Sequence, residues 1–236
     1  MTNLGVPRIF LGMTLDCQRD FIKLSAKDTI ERIIGSLQIG LPEKIIATPF
    51  PLTYKLFDEK FKLLDSEKQT ECRSIIGMLL YISNIVRFEI SYHISIVAGF
   101  VNGPREVHYR SAMNIVQYLG QTKEKGIILE KNGKVKYFRE EFQFLDTSKE
   151  VVVRQYPDQT KNRLTVYSDA DWGKSGQGRS QLGGIVTFCG NVISWNSRKQ
   201  KSVALSTAES ELMSVKEGIT TGKYFYDLLN EISRSI

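Results

Sequence analysis

Two carboxylates, Asp169 and Glu211, are the residues best suited to carry chemistry. Asp169 lies near the end of a predicted strand, and Glu211 lies in the first turn of a predicted helix. When a carboxylate at the end of a strand faces a second carboxylate at the start of a helix, the pair supplies the oxygen ligands that Mg²⁺ prefers. Two Mg²⁺ ions about 3.5–4 Å apart can activate water for phosphodiester cleavage. The helix dipole also favours acidic residues in first turns, so spacing alone leaves both interpretations open.

A short basic loop is the second candidate. Arg198, Lys199 and Lys201 follow Trp195 closely in the sequence. Such a cluster can contact the phosphate backbone of a nucleic acid. Solvated charge on a loop explains the same residues equally well, so both alternatives stay open here.

Other motifs predict structure rather than chemistry. The glycine-rich run 173–180 has the wrong residue order for a phosphate-binding Walker A loop and predicts a turn between strands. His93 and His108 lack the spacing of metal ligands, so we predict structural roles for both. No Ser-His-Asp set is evident.

The elements that position the two carboxylates follow from local patterns. Strands are predicted over 164–171, 183–189 and 192–195, which form an antiparallel meander with a tight turn at Gly190-Asn191. A helix is predicted to begin at Ser206, because Glu209 three residues later completes a capping box. Leu212, Val215, Ile219, Tyr226 and Leu229 would line one face of that helix.

The first half of the chain predicts a hairpin followed by helices. The hairpin strands are 9–15 and 21–24, and Ser25 with Asp28 predicts the start of the first helix. Further helices are predicted from Ser66 onward, over 91–100 and over 105–119, with Gly120 as the stop of the last. Asn132-Gly133 predicts a second hairpin between 126–129 and 134–138, and a domain boundary is expected between 149 and 162.

Composition excludes several classes of protein. The 236 residues are 25% charged and 42% hydrophobic, which is typical of a globular chain with a real core. No apolar run could span a membrane, and the N-terminus lacks the layout of a signal peptide. Three distant cysteines, Cys17, Cys72 and Cys189, predict neither a disulfide framework nor a zinc site and suit a reducing compartment. A net charge of +6 is compatible with a phosphate-backbone partner.

Collinear motifs resemble those of Pol polyproteins from copia-type (pseudoviral) retrotransposons. In the first half the matching segments are Phe10-Leu-Gly-Met13, Phe21-Ile-Lys-Leu-Ser25, Ala47-Thr-Pro49 and Cys72-Arg-Ser-Ile-Ile-Gly-Met-Leu-Leu-Tyr-Ile-Ser83. In the second half they are Tyr167-Ser-Asp-Ala-Asp-Trp172, Arg179-Ser180, Ile193-Ser-Trp195, Ser197-Arg-Lys-Gln200 and Val203-Ala-Leu-Ser-Thr-Ala-Glu-Ser-Glu211. Each match is weak alone, and their shared order makes the resemblance strong.

The resemblance implies an α+β fold in which a helical thumb and connection precede an incomplete ribonuclease-H-like domain, a three-stranded antiparallel meander plus a helix. It implies the end of the reverse transcriptase palm and thumb over 1–60, a helical connection over 61–130, a linker or hairpin over 131–163 and the first half of ribonuclease H over 164–236. Asp169 and Glu211 then match two catalytic, Mg²⁺-binding carboxylates of the family.

The departures from the family pattern matter as much. The polymerase carboxylates belong upstream of Phe10, and the third and fourth ribonuclease H carboxylates belong to segments beyond the helix that carries Glu211. None occurs here, so we expect a truncated Pol remnant that binds Mg²⁺ weakly or not at all and is inactive alone. The alternatives are a non-catalytic nucleic-acid-binding or assembly module, and an open reading frame of a dead element.

The same resemblance implies the surroundings of such a chain. Its expected partners are an RNA–DNA hybrid or a template–primer, with Pol or capsid proteins of the element in addition and no membrane. Its expected location is the cytoplasm, in virus-like particles, or the nucleus.

Overall fold

The structure, a computed structural model, describes residues 5–50, 56–58, 60–131, 163–172 and 179–235. The elements are β1 Ile9–Phe10, β2 Met13–Cys17, β3 Phe21–Ser25, α1 Lys27–Leu37, α2 Ser66–Ile85, α3 Ser91–Ala98, α4 Glu106–Gln121, β4 Gly126–Glu130, β5 Leu164–Asp171, β6 Gln181–Phe188, β7 Asn191–Lys199 and α5 Thr207–Ser235. A short 3₁₀ turn, Phe88–Ile90, precedes α3. Two antiparallel sheets and α-helices confirm the predicted α+β class.

The first sheet has the strand order β1-β2-β3-β4. The predicted hairpin is present as β2 and β3, but β3 also pairs with β4, about a hundred residues later, with Ile22 opposite Leu129. The sequence predicts that 126–129 pairs with 134–138 instead; residues 132–162, which include that second predicted strand and the Asn132-Gly133 turn, lie outside the described part. Local patterns did not reveal the long-range partner of β4.

Helices α1 to α4 share one hydrophobic core with the first sheet. Almost fully buried members come from each of these four helices and include Ile30, Ile75, Leu79, Ile94, Ile115 and Leu119. Residues from both of the first two predicted segments, 1–60 and 61–130, contribute to this core. The predicted division between them stays a prediction.

The helix starts differ slightly from those expected. Ser25 does not cap α1, because it belongs to β3, and the N-cap Ala26 has no side-chain hydrogen bond. The Asp28 carboxylate instead accepts a hydrogen bond from the Thr14 hydroxyl at 2.9 Å. Helix α2 begins at Ser66, as predicted, and its N-cap is Asp65, whose carboxylate accepts the Lys68 N–H at 2.9 Å.

Gly120 does not end α4, which continues to Gln121. A methyl group at Gly120 would lie 2.8 Å from Ile34 Cδ1 and would also meet the side chain of Leu41. Close packing therefore explains the glycine at this position. The sequence pattern predicted that Gly120 ends the helix, and this prediction is wrong.

Both histidines are packed within the helical half. His108 is buried, accepts the Arg105 N–H on Nδ1 and donates from Nε2 to the Leu56 carbonyl oxygen at 2.7 Å. His93 packs edge-on against Phe50 and Tyr92. Burial lowers the pKa of His93 to about 4 and lowers that of His108.

The second sheet is the predicted meander, in the order β5-β6-β7. Strands β6 and β7 are joined by Cys189 and Gly190, both at positive φ, as a tight hairpin turn requires. The turn lies one residue earlier than the predicted Gly190-Asn191, because Asn191 already belongs to β7. At the start of α5, Ser206 Oγ accepts the Glu209 N–H at 3.1 Å, and the Glu209 carboxylate accepts the Leu205 N–H. The predicted capping interaction is therefore present.

Helix α5 packs on β5 through small residues and not through its apolar stripe. Ser210, Ser214, Gly218 and Gly222 are the buried positions. A methyl group at Gly222 would lie 2.8 Å from Val166 Cγ2, so the glycine permits the close approach. The predicted apolar face is largely exposed: Leu212 is 69% and Ile219 67% accessible, and Val215 and Tyr226 are exposed as well.

The second sheet docks on the helical half through β7. Trp195 packs against Phe88 and the main core, and its indole N–H donates to the Ser83 carbonyl oxygen at 2.6 Å. The Asn191 side chain bonds both backbone groups of Glu130, so it extends the pairing of β4 as another strand would. None of the helices in the described ranges has the length and apolar character needed to cross a bilayer.

The half-buried His93 and the buried His108 predict a specific pH dependence of stability. An unperturbed imidazole has a pKa of about 6.5, so the unfolded chain binds the extra proton first as the pH falls from 6.5 toward 4. The contribution of neutral His93 to the free energy of unfolding is therefore full well above pH 6.5. Through His93 alone, the free energy of unfolding should fall by about 2 kcal/mol between pH 7 and 5. Urea unfolding at both pH values should show His93→Phe losing clearly less than the wild type; equal losses would contradict the assignment.

The tight α5–β5 contact predicts opposite outcomes for two matched substitutions. Gly222→Ala should destabilise the fold by about 1–3 kcal/mol, because its methyl group meets Val166. Gly77→Ala on α2 points into open space and should stabilise by about 0.5–1 kcal/mol. Urea midpoints of the two variants check this, and a neutral Gly222→Ala would show that α5 does not sit this close to the sheet.

Candidate active site

The side chain of Asp169 lies on the face of the second sheet away from α5. Ser168 and Val166 face α5, because methyl groups at Gly218 and Gly222 would meet them. Successive side chains of a strand point to opposite faces, so Asp169 is directed to the face that carries Trp195. That face looks toward the 3₁₀ turn and α3.

A polar cavity of about 230 Å³ lies between this face and the helical half. Asp169 and Asp171 share it with Glu89 and Tyr92. The Tyr92 hydroxyl lies 3.4 Å from an Asp171 oxygen and donates to it. Burial, together with the Asp171 charge, raises the pKa of Tyr92 above its usual range, so Tyr92 stays a neutral donor at physiological pH.

Hydroxyl and amide groups complete the contact between α3 and the sheet. The Gln181 amide donates to Ser95 Oγ at 2.7 Å and to Ser197 Oγ at 3.0 Å. These bonds hold the Asp169 face at a fixed distance from α3. Neither Tyr92 nor Gln181 was singled out from the sequence, since each partner lies many positions away.

Glu211 lies on α5, in an exposed position of its first turns. Ser214, one turn later, donates from Oγ to the Asp169 carbonyl oxygen at 2.8 Å, so the elements that carry both predicted carboxylates are in contact. Glu211 is absent from the described residues that line the Asp169 cavity. The carboxylate that shares this cavity on the same strand is Asp171.

The described ranges hold no group of three or more Asp, Glu, His or Cys side chains that could bind a metal ion. A Mg²⁺ pair needs several carboxylate oxygens converging on one space. Among the described residues, the carboxylates that line the cavity are Asp169 and Asp171 from the sheet and Glu89 from the 3₁₀ turn. These three do not converge on one point, so the donor set does not fit a two-metal centre.

The prediction of a basic loop over 197–202 is partly wrong, because Arg198 and Lys199 belong to β7 and only Lys201 lies in the turn that follows. The three side chains do not form one continuous surface. Arg198 donates to the Glu217 carboxylate on α5 at 2.7 Å. Lys199 points to the other face of β7, and its pKa is lowered by burial and by the nearby Arg179 charge. Lys201 is exposed in the following turn. Their role as nucleic-acid ligands stays a prediction.

Curated proteins similar to this chain are transposon polyproteins. The chain is 27% identical over 227 residues, 95% of its length, to the retrovirus-related Pol polyprotein from transposon RE1 of Arabidopsis thaliana. It is 24% identical over 95% of its length to the transposon Ty1-LR3 Gag-Pol polyprotein of Saccharomyces cerevisiae. It is 27% identical over 93% of its length to the putative transposon Ty5-1 protein of the same yeast.

These matches cover only part of each relative. The chain spans 13% of the RE1 polyprotein, 12% of the Ty1-LR3 polyprotein and 62% of the Ty5-1 protein. No protein-family model and no solved structure matches the chain.

Proposed function

We propose that this chain, whose homologues over about 95% of its length are Pol polyproteins of Ty1/copia-type retrotransposons, is the thumb, connection and first ribonuclease H half of such a polyprotein. Its role is to hold and process RNA–DNA hybrid or template–primer during transposition. In this proposal the 236 residues do not cleave nucleic acid alone. They work beside other Pol or capsid proteins, in cytoplasmic virus-like particles or in the nucleus.

The observation that carries the proposal is the contact between α5 and β5. The Ser214–Asp169 hydrogen bond seats an acid-bearing helix on the acid-bearing strand of a three-stranded meander. This is the arrangement that the family resemblance implies for the first half of ribonuclease H. In this half of the chain, the motifs that carry the resemblance lie in the same order on β5, just before β6, on β7 and at the start of α5.

The lack of cleavage follows from the carboxylates that these residues supply. Asp169 and Glu211 are the two proposed metal ligands, and Glu211 lies outside the Asp169 cavity. Two exposed carboxylates do not compensate for removing hydration water from two Mg²⁺ ions. We therefore propose that Mg²⁺ binds weakly or not at all.

A cleavage assay tests the proposed inactivity. The 236-residue chain should cleave an RNA–DNA hybrid no faster than the Asp169→Asn variant with either Mg²⁺ or Mn²⁺, because too few carboxylates converge. Calorimetric titration should likewise show no saturable Mg²⁺ site at millimolar concentration. Cleavage that Asp169→Asn abolishes would contradict the inactivity and would at the same time identify Asp169 as catalytic.

A second candidate function is a nucleic-acid-binding module without catalysis, which the +6 net charge favours. Filter binding of an RNA–DNA hybrid at rising salt should then show affinity falling along a linear log–log slope, because each phosphate contact releases counterions. A flat salt response would rule out backbone binding. Equal binding to the hybrid and to double-stranded DNA would point to a general module and not to one suited to hybrids.

A further inference from the structure

Strand β5 lies at an open edge of the second sheet. It pairs with β6 over its whole length without a bulge, and its other edge has no strand partner among the described residues. Native edge strands are commonly protected by lysine, proline or a bulge, and β5 contains none of these. The opposite edge of the sheet is covered at its start, since Asn191 of β7 bonds both backbone groups of Glu130. The outer edge of β5 is therefore accessible to another strand.

An apolar stripe of α5 lies beside this edge. The stripe consists of side chains that are between 46% and 69% exposed, namely Leu212, Val215, Ile219 and Tyr226. The neighbouring Glu217 carboxylate accepts a hydrogen bond from Arg198 on β7, so that side of α5 looks toward β7. Residues advance by about 100° around a helix, which places Ile219 roughly 200° from Glu217. The α5 stripe therefore projects away from β7, past the outer edge of β5.

The residues of β5 are complementary to a second copy of the same strand. An antiparallel pair of β5 strands centred on Tyr167 sets Thr165 opposite Asp169 and Arg163 opposite Asp171. The acidic end of each strand then meets the basic start of the other, and the two Tyr167 rings form a cross-strand aromatic pair. A register centred on Asp169 would instead set two like charges opposite each other, which is destabilising. Charge complementarity therefore favours a two-fold axis at Tyr167.

The seat of α5 on β5 fixes which part of the helix lies at this axis. A methyl group at Gly218 would lie 3.2 Å from the Ser168 side chain and 3.4 Å from that of Val166. Ser168 and Val166 are the two neighbours of Tyr167 in the strand. Gly218 and the adjacent Ile219 are therefore level with Tyr167 along the strand.

The α5 stripe is arranged symmetrically about Ile219. Leu212 precedes Ile219 by seven residues and Tyr226 follows it by seven, so all three lie on one side of the helix. In an antiparallel pair of α5 helices centred on Ile219, Leu212 of one copy contacts Tyr226 of the other. Strand pairing and helix packing therefore require the same two-fold axis, although different residues determine each of them.

The surface involved is large enough for a stable dimer. The exposed parts of the α5 stripe and of Tyr167, itself 45% exposed, amount to roughly 500 Å² per copy. The strand edge and its polar neighbours bring this area close to the roughly 800 Å² per partner of a standard interface. Another exposed apolar group, around Phe10, belongs to a strand of only two residues, whose edge offers few hydrogen bonds. The contact at β5 also closes, because it uses the same edge of both copies.

We infer that the α5 stripe and the outer edge of β5 form a homodimer interface, in which the three-stranded sheets of two copies join into one antiparallel sheet around Tyr167. The inference goes beyond the proposed function and does not depend on it, because it uses only the shape and the charges of this surface. The dimer also adds a group to the candidate active site. Arg163 of the second copy lies beside Asp171, one of the carboxylates that line the cavity.

Sedimentation equilibrium of the full chain tests the inference. The wild type should approach twice the chain mass of 26.9 kDa at micromolar concentration. Ile219→Glu buries two unpaired carboxylates at the centre of the interface and should weaken dimerisation by about a hundredfold or more. Thr220→Glu adds the same charge on the exposed side of α5 and should stay within about threefold of the wild type.

Both variants should keep the circular dichroism spectrum of the wild type, because each position is exposed in the single chain. A wild-type chain that stays monomeric at about 100 μM would overturn the inference. Equal weakening by Ile219→Glu and Thr220→Glu would overturn it too. A one-to-one complex of a monomeric chain with another Pol protein, lost in Ile219→Glu, would assign the surface to that partner and not to a second copy.

Disulfide trapping tests the register independently. A two-fold axis at Tyr167 brings this residue within disulfide distance of its own copy, so Tyr167→Cys should form a covalent dimer on oxidation. Thr165→Cys faces Asp169 of the second copy and not itself, so it should cross-link at least about tenfold more slowly. The wild type, with its three native cysteines, gives the background rate. Equal rates for the two variants would overturn the Tyr167-centred interface.

These measurements contain no nucleic acid, so their outcome is separate from that of the proposed function. A chain that dimerises and binds no hybrid would retain the interface and lose the function. A chain that binds hybrid as a monomer would retain the function and lose the interface.

Discussion

The burial of one indole ring sets the arrangement of the whole second half. Trp195 of β7 is half-buried against the helical core and donates to the Ser83 carbonyl oxygen, so the face of the meander that carries it is turned toward α3. Side chains alternate along strands and align across them, and Asp169 therefore shares the Trp195 face through its pairing with Gly183. Helix α5 is left with the opposite face. The direction of Asp169 is thus a consequence of where Trp195 is buried.

Interactions between near neighbours in the sequence could be predicted, and those between distant segments could not. The tight turn at Gly190 and the capping interaction of Ser206 involve residues within four positions of each other, so local composition indicates them, although the turn begins one residue earlier than predicted, at Cys189. The pairing of β3 with β4 joins segments about a hundred residues apart, and no local pattern in either strand indicates which strand it pairs with. Gly120 shows the same difference, since its role depends on the distant Leu41.

The same difference between local and long-range interactions applies to the candidate site. The strand that bears Asp169 and the helix that bears Glu211 were predictable, because alternation and capping are local patterns. The surroundings of Asp169 were not, since Tyr92 meets Asp171 across 79 residues. The apolar stripe of α5 was a misleading guide to packing: a helix can approach a sheet most closely through glycine and serine, and Gly218 and Gly222 do so here.

The net charge of the sequence does not by itself indicate which surface binds an anion. The sequence gives each arginine equal weight in the sum of +6, but a buried guanidinium such as Arg87 serves to hold Glu89 and the end of α4 at Thr122. A guanidinium whose partners are neutral, as at Arg32, keeps its full charge to offer a ligand. The surface that attracts an anion is therefore determined by which cations already have a carboxylate beside them, and only the folded chain decides that.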